Sequence, residues 1–231
     1  MTERSDALFD IDRTAYNGFL AFELIRKQIE DGLLDPQVHE DILTMRNAYE
    51  EGSLDYESMV ADVLSTWAEG LTVASVDAIA DHTVAYLEDE GNKFYPYVVQ
   101  VMEQVKDSHD VYFVTGEPQF VADATTSHYA AQGYLSTEFG AEEGKYTGHV
   151  TSILSHGPHK LQAIGSLLSQ HDSERSIAFG DSEGDIDMLQ STAYAVCINP
   201  TPRLAEIAQS EGWHVSDASS EDVLSFIREK L

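Results

Sequence analysis

Two acidic residues, Asp10 and Asp12, stand two positions apart where a short apolar segment ends. The alternation of that segment predicts a buried strand that runs into a loop. Residues two apart in an extended chain project to the same side, so both carboxylates would crowd one spot at the carboxyl end of the strand. Because such crowding is costly without a cation or a shared proton, the pair is a candidate for metal binding or proton transfer.

Two other interpretations of the Asp10 and Asp12 pair compete with a functional one. In so acidic a chain, an isolated pair is more often two solvated carboxylates. A calcium-binding EF-hand loop does not fit, because its twelfth position falls on Ala21 instead of a bidentate Glu, and the glycine of its sharp turn is missing. The choice between solvated acids and a site therefore depends on the rest of the chain.

The charge balance of the chain limits its partners. The sequence contains 41 Asp and Glu residues against 13 Lys and Arg residues, which gives a formal net charge of -28. Nucleic acid and anionic membranes are therefore poor partners. The acids are dispersed, and their mutual repulsion would be relieved once salt near 1 M shortens the Debye length to ~3 Å. We accordingly expect a halophilic protein from a salt-rich cytoplasm.

Length and composition predict a folded, soluble chain. With 231 residues and a hydrophobic fraction of 42%, the chain can bury a sizeable core. The sequence has no run of eighteen apolar residues and no basic segment followed by an apolar one at its start, so we expect a cytoplasmic protein. The single cysteine, Cys197, has apolar neighbours and is interpreted as a buried packing residue.

Residues 15–92 carry four amphipathic patterns, which predict a small antiparallel bundle of helices. Each pattern ends near a glycine, which suits the left-handed residue that often follows a helix. These glycines are Gly32, Gly52, Gly70 and Gly91. The bundle interrupts the chain directly after the acidic pair, so it would lie over that site as a lid.

From residue 93 onward, helical and extended patterns alternate, which predicts an α/β fold with a Rossmann-like, mostly parallel sheet covered by helices. We therefore divide the chain into an α/β catalytic core, residues 1–14 and 93–231, and an inserted all-helical cap, residues 15–92. A hairpin is expected from Leu135 to Val150. In such sheets, ligands bind beyond the carboxyl ends of the strands.

Two further predicted strands end in polar residues at that edge. One ends at Thr115-Gly116, and the other ends at Asp181, with Asp185 four positions later. Lys160 lies on a predicted helix between them. Taken alone, Lys160 would be a solvated helix residue, and the two acids could simply favour a helix dipole.

In this order, the polar groups together resemble the four motifs of the haloacid dehalogenase superfamily, phosphatase branch. The motifs here are Asp10-Ile11-Asp12-Arg13-Thr14, Thr115-Gly116, Lys160 and Gly180-Asp181-Ser182-Glu183-Gly184-Asp185. The later segment Val196-Cys197-Ile198-Asn199-Pro200 is similar to the phosphoserine-phosphatase-like branch, subfamily I-B, which also inserts a helical cap at this point. The likeness covers nearly the whole chain.

The resemblance implies a Mg²⁺-dependent phosphatase that hydrolyses a small phosphorylated metabolite. Asp10 would be the nucleophile that forms an aspartyl-phosphate, and Asp12 would protonate the leaving oxygen and then activate water. Thr115 and the Gly116 amide would bind phosphoryl oxygens. Lys160 would offset the charge that Asp10 shares with the phosphate.

The resemblance also implies a magnesium site, because Mg²⁺ prefers oxygen ligands. Its ligands would be Asp10, the backbone carbonyl of Asp12, Asp181 and, directly or through water, Asp185. The motifs do not separate hydrolysis from transfer to another acceptor, so a phosphotransferase or mutase of the same superfamily stays an alternative. A catalytically weakened protein that binds Mg²⁺ or phosphate is the non-enzymatic alternative.

Two residues depart from the family pattern. Arg13 stands where glycine or another small residue is usual. Its long cation could pair with a catalytic carboxylate or point away and bind an anionic substrate. Glu117 adds a negative charge beside the implied phosphate position.

The cap region differs from that of phosphoserine phosphatases. Those enzymes carry a glutamate soon after the nucleophile, where this chain has Phe19, and a cap arginine, which the pattern from Tyr56 to Trp67 lacks. We therefore do not expect phosphoserine itself as the substrate. Phe19, Tyr56 and Met59 are candidates to line a less polar pocket, with core packing as their alternative role.

Overall fold

The computed structural model describes residues 4–88, 93–154, 157–169 and 172–231. Its strands are β1 (Ser5–Phe9), β2 (His109–Pro118), β3 (Gly133–Glu142), β4 (Lys145–Ser152), β5 (Ile177–Gly180), β6 (Tyr194–Ile198) and β7 (His214–Ser216). They form one sheet in the spatial order β4-β3-β2-β1-β5-β6-β7. Every neighbouring pair is parallel except β3 with β4, which form the predicted hairpin.

The described ranges contain a run of helices after β1 and helices that alternate with strands from residue 93 onward. They are α1 (Leu20–Glu30), α2 (Pro36–Glu50), α3 (Tyr56–Gly70), α4 (Val76–Glu88), α5 (Pro96–Val105), α6 (Gln119–Tyr129), α7 (Gly157–Leu168), α8 (Ile186–Gln190), α9 (Pro202–Glu211) and α10 (Ser220–Lys230). The predicted α/β fold, a Rossmann-like and mostly parallel sheet covered by helices, is therefore confirmed, with four helices inserted after β1.

Strand β1 lies at the centre of the sheet, between β2 and β5. Its successive side chains point to opposite faces, so Leu8 and Phe9 belong to two different apolar clusters and both are fully buried. Phe9 stacks on Phe179 of β5 with ring centroids 4.3 Å apart. Burial on both faces explains why the segment before Asp10 is almost continuously apolar.

The inserted helices α1 to α4 pack on the same apolar cluster as one face of the sheet. The ring of Trp67 on α3 packs edge to face on Phe120 of α6 and Phe139 of β3, with ring centroids 5.3 Å and 6.0 Å apart. Because apolar packing continues across the two regions, the proposed division into a core and a cap over residues 15–92 stays a prediction.

The glycines of this region serve two different purposes. Gly32 and Gly52 have φ of 75° and occupy the left-handed conformation expected after a helix. Gly70 is the last residue of α3, but the left-handed conformation expected for it is wrong, since its φ is -64°. A Cβ on Gly70 would lie 2.7 Å from Val38 Cγ2, so this glycine allows α2 and α3 to approach closely. Gly91 lies outside the described residues.

Two further expectations concern the single cysteine and membrane-spanning helices. Cys197 is fully buried on β6, as its apolar neighbours predict. Among the residues described, no helix combines the length and the apolarity that a membrane crossing requires.

Candidate active site

The carboxyl ends of β1 and β5 bring two acids to the same edge of the sheet. Asp10 directly follows β1, and its backbone N–H donates to the carbonyl oxygen of Phe179 at 3.0 Å. Asp181 directly follows β5. Because β1 and β5 are parallel neighbours, these residues lie side by side, as the sequence predicts.

Asp185 joins these two acids in a buried carboxylate cluster. One oxygen from each of Asp10, Asp181 and Asp185 lies within 4.8 Å of the others, and all three residues are buried. Burial raises the pKa of Asp10 well above its usual value, and Asp185 adds to the effect. Burial likewise raises the pKa of Asp181 to about 7. The cluster is therefore strained by its own charge.

A divalent cation fits this cluster. The donors are hard carboxylate oxygens, which suit Mg²⁺. The Oδ2 atom of Asp181 is buried and accepts no hydrogen bond within the described part of the chain. A cation bound there would satisfy this oxygen and offset the mutual repulsion of the three acids.

Lys160 of α7 places a buried cation beside the carboxylate cluster. Its side chain is only 2% exposed, and Nζ donates to Asp185 Oδ1 at 3.0 Å. Burial alone lowers the pKa of Lys160, but Asp185 and Asp10 outweigh this effect and raise it above the usual value. Lys160 is therefore a buried ammonium at the acidic edge, and the solvated-helix interpretation is wrong.

The turn after β5 fixes Asp185. Its Oδ2 atom accepts hydrogen bonds from the backbone N–H groups of Asp181 at 3.1 Å and Ser182 at 3.2 Å. A Cβ on Gly180 would lie 2.5 Å from the Cβ of Asp185, a distance that real Cβ atoms do not reach. Glycine at position 180 therefore lets Asp185 turn back toward the strand and contact Lys160.

Asp12 lies beside the cluster but faces a different environment. Its Oδ1 atom accepts from the N–H of Leu20 at 2.8 Å, in the first turn of α1. Burial raises the pKa of Asp12 well above its usual value, Glu117 raises it further, and the hydrogen bond from Leu20 opposes this shift. The carboxylate of Asp12 is outside the group of three acids.

Glu117 shares the helix end with Asp12, an arrangement that the sequence analysis did not foresee. Its Oε1 atom accepts from the N–H of Ala21 at 2.9 Å, and burial raises its pKa to about 7. Two acids thus converge on the positive end of the α1 dipole. The only sequence signal was the acidic residue directly after Thr115-Gly116.

Thr115 and Gly116 lie in the C-terminal part of β2, the strand next to β1. The predicted end of the strand at these residues is wrong, because β2 continues to Pro118, which pairs with Thr137 of β3. The register shifts between Val114 and Pro118, so the intervening residues form an irregular segment of the strand. This segment carries Thr115, which is buried, and directs Glu117 toward α1.

Arg13 adopts the first of its two expected roles. Its Nη1 atom lies 3.3 Å from Asp181 Oδ2, and its side chain is 37% exposed. Its φ of 59° places it in the left-handed region, which is unfavourable for a residue with a Cβ. The long side chain thus reaches the acidic cluster from a strained loop position.

The predicted pocket residues separate in the structure. Phe19 is half exposed and lines an open cavity of about 400 Å³ together with Arg13, Asn17, Gly18, Tyr95 and Asn199. Met59 is partly buried and packs on the apolar core, which is its alternative role. The side chain of Tyr56 lies outside the described residues. Of the polar residues of this cavity, only Arg13 was a candidate from the sequence; Asn17, Tyr95 and Asn199 were not, because the cavity is assembled from three separate loops.

This mostly parallel sheet, with buried aspartates and a lysine at its carboxyl edge, has the arrangement that the sequence motifs predict for a class of hydrolytic enzymes. Comparison with known families identifies the class, since residues 7–190 match the family of haloacid dehalogenase-like hydrolases. The chain belongs to this family. The predicted superfamily and the predicted class of enzyme, a phosphoric monoester hydrolase of this type, are confirmed.

Individual relatives agree with this assignment. The chain is 27% identical over 222 residues to phosphoserine phosphatase SerB1 of Mycobacterium tuberculosis, covering 91% of this chain and 70% of that protein. A protein of unknown function from Bordetella pertussis Tohama I has the same fold, with a TM-score of 0.78 and 23% identity over 95% of this chain and 100% of that one. A phospho-aspartyl intermediate analogue of phosphoserine phosphatase gives a TM-score of 0.68 at 15% identity, with 100% of both chains covered. These similarities agree with the predicted phosphoserine-phosphatase-like branch.

Proposed function

We propose that this protein is a Mg²⁺-dependent phosphatase that hydrolyses a small phosphomonoester through an aspartyl-phosphate on Asp10. The observation that carries the proposal is the buried group of Asp10, Asp181, Asp185 and Lys160 at the carboxyl edge of the sheet. Attack by a carboxylate on an anionic ester requires nearby positive charge, and this group provides both a lysine and a cation site.

In the proposed reaction, a carboxylate oxygen of Asp10 forms a bond to phosphorus as the bond to the alcohol oxygen breaks. The alcohol oxygen takes a proton from Asp12 as it leaves. Asp12 then accepts a proton from water, whose oxygen attacks the phosphorus and releases phosphate from Asp10. Each turnover therefore returns both aspartates to their starting states.

The environment of Asp12 supports its role as an acid and base. Burial and the neighbouring Glu117 favour its protonated form before reaction, and the N–H of Leu20 supports the carboxylate that remains after proton transfer. Glu117, with a pKa raised to about 7, is close to its own protonation equilibrium at neutral pH. Asp12 and Glu117 together can thus hold one proton for transfer to the leaving oxygen.

Positive charge around the transferred phosphoryl group comes from two sources. Mg²⁺ would be held by Asp10, Asp181 and the backbone carbonyl of Asp12, with Asp185 in direct or water-mediated contact, and when bound it would offset the charge of the phosphoryl oxygens. Lys160 would contribute a fixed ammonium, and Thr115 and the Gly116 amide would contribute hydrogen bonds.

The proposal extends to the setting of the site and to the partners of the protein. Residues 15–92 would cover the site as a helical cap above the core formed by residues 1–14 and 93–231. A halophilic, cytoplasmic setting and small phosphorylated metabolites as partners, without nucleic acid or membrane, also stay predictions. Transfer of the phosphoryl group to another acceptor and a catalytically weakened binding protein are the alternatives that an assay separates.

Phosphate release from p-nitrophenyl phosphate tests the function, with Mg²⁺ and with KCl varied from low to molar concentration. We expect turnover that a chelator abolishes and that Asp10→Asn reduces by at least about 10³-fold. Asp123→Asn, which neutralises an exposed aspartate on α6, is the matched control and should leave turnover unchanged. Absence of turnover, or turnover that survives unchanged in Asp10→Asn, contradicts the proposal, and acceleration by added alcohols indicates a transferase.

A further inference from the structure

The open cavity of about 400 Å³ adjoins the carboxylate cluster on the side of β6. Arg13 comes from the loop after β1, and Asn199 comes from the loop after β6. These strands flank β5, whose end carries Asp181, so the cavity lies next to the proposed reaction centre. Its volume lies within the range of cavities that bind small molecules.

The polar wall of the cavity is already organised. The Tyr95 hydroxyl donates to Asn17 Oδ1 at 3.0 Å and accepts from Asn199 Nδ2 at 3.4 Å. The backbone N–H of Asn17 donates to the Lys93 carbonyl at 3.0 Å, which ties the loop after β1 to the segment before α5. The uncharged groups of three loops thus present a connected surface, with the half-exposed Phe19 ring as its apolar part.

Arg13 is the charged residue of this wall, since the cavity is lined by no acid and no other cation among the described residues. Its guanidinium makes no hydrogen bond within the described ranges, and its contact with Asp181 at 3.3 Å engages one of its two terminal nitrogens. Several N–H donors therefore remain for a ligand, in the fork geometry that suits a carboxylate or a phosphate.

The backbone of Arg13 supports a role in binding. A left-handed φ of 59° is unfavourable for arginine, and the N–H of Arg13 nevertheless donates to the Gly18 carbonyl at 3.0 Å to close the loop. Glycine would relieve this conformation but would remove the cation. In a chain of net charge -28, an anionic ligand is repelled at long range, so a local cation has a large influence on its binding.

We propose that this cavity binds the leaving group of the substrate and that Arg13 selects phosphomonoesters whose alcohol carries a second anionic group. The inference rests on the phosphatase function proposed above. The absence of an acid from the described lining leaves an ammonium group without a partner. The favoured leaving group is therefore a hydroxy acid or a second phosphate ester, in preference to a zwitterionic amino acid such as serine.

Four ligands that differ by single groups test this specificity. They are propyl phosphate, 3-phosphooxypropanoate, O-phosphoserine and 1,3-propanediol bisphosphate. Their affinities are measured by calorimetry with saturating Mg²⁺ in an Asp10→Asn background, where the proposed turnover is blocked. We expect 3-phosphooxypropanoate or the bisphosphate to bind roughly 10- to 100-fold more tightly than propyl phosphate, as for a charge-assisted hydrogen-bonded pair. The tighter of the two identifies the anion, and O-phosphoserine should bind more weakly than 3-phosphooxypropanoate.

Substitution of the arginine then assigns the preference to a residue. Arg13→Gln should reduce the preference for the anionic ligands to within about threefold, and Arg13→Lys should restore part of it. Arg26→Gln, which removes an exposed arginine on α1, is the matched control and should keep the preference of the parent protein. Melting curves with and without Mg²⁺ verify that each variant is folded and still binds the metal.

The possible failures are distinguishable. Equal affinities of the parent protein for propyl phosphate and both anionic ligands overturn this inference, as does a preference that Arg13→Gln leaves intact. An Arg13-dependent preference in a protein that turns over none of the esters supports the cavity assignment and overturns the phosphatase proposal alone.

Discussion

Two groups of buried carboxylates meet at the edge of this sheet, and they compensate their charge in different ways. In the group of Asp10, Asp181 and Asp185, the ammonium of Lys160 donates to Asp185 and the guanidinium of Arg13 lies 3.3 Å from Asp181 Oδ2. That Asp181 oxygen still accepts no hydrogen bond from the described residues. Asp12 and Glu117 instead accept hydrogen bonds from backbone N–H groups in the first turn of α1. The first group thus has more carboxylates than cations, whereas the second is compensated by backbone N–H groups.

This difference assigns separate tasks to the two groups. A cluster that is short of positive charge gains most from a divalent cation and from an anion held beside it. A pair of acids at a helix N-terminus is supported in its ionised form by the dipole, yet burial keeps one proton within reach. The site can therefore stabilise phosphoryl charge on one side and exchange protons on the other.

Removal of Lys160 from the first group should change stability and activity more than the other substitutions considered below. Lys160→Met keeps the length of the side chain but removes the buried cation that pairs with Asp185. Loss of one member of a buried ion pair costs roughly 3–5 kcal/mol. We expect lower stability in urea unfolding without Mg²⁺ and a loss of about 10²- to 10³-fold in kcat/KM. Lys145→Met, at an exposed position on β4, is the control. A Lys160→Met protein as stable and active as the parent would show that the cluster does not depend on this cation.

Neutralisation of Glu117 tests the second group and should have an effect of opposite sign. Because the pKa of Glu117 rises from 4.5 to about 7 on folding, the folded state binds more protons between these values, and stability falls as pH rises through that window. Glu117→Gln keeps an acceptor for the Ala21 N–H and removes this penalty. It should stabilise the protein by about 3 kcal/mol at pH 8 and by much less at pH 5.

Urea unfolding at the two pH values measures this gain. Glu211→Gln, at an exposed position on α9, should show no such pH-dependent gain. Equal stabilities of the Glu117→Gln and parent proteins at pH 8 would mean that burial does not penalise the ionised Glu117, and the contrast between the two groups would be lost.

The sequence allowed one of these groups to be predicted far better than the other. Asp10, Asp181 and Asp185 follow parallel strands or their turn, and parallel topology brings such positions to one edge whatever the details of packing. Lys160 could be included because its motif follows in order. The role of Glu117 depends on an irregular segment of β2 that redirects its side chain, and local sequence does not specify such a register shift.

The roles of Arg13 and Gly70 also depend on long-range packing. Arg13 had two open roles because a side chain of its length can reach either a neighbouring acid or a ligand, and only the left-handed loop places it beside Asp181. Gly70 was expected to adopt the left-handed conformation because the close approach of α2 leaves no trace in the local pattern. Long-range packing, which decides both cases, is absent from any single segment of sequence.

The smallest expected change in the free energy of unfolding comes from a methyl group added at Gly180, next to Asp185 of the first group. A Cβ at Gly180 would lie 2.5 Å from the Cβ of Asp185, so Gly180→Ala should displace Asp185 from Lys160 and cost about 1–3 kcal/mol, as overpacking does in a buried site. Gly165→Ala on α7 is the matched control, because its Cβ would meet no atom within 4 Å and alanine should stabilise the helix by about 0.5–1 kcal/mol. Urea unfolding of both variants gives the difference. Because Glu117 lies on another strand, Gly180→Ala should keep the pH dependence caused by Glu117, and loss of that dependence would show that the two groups of carboxylates act as one.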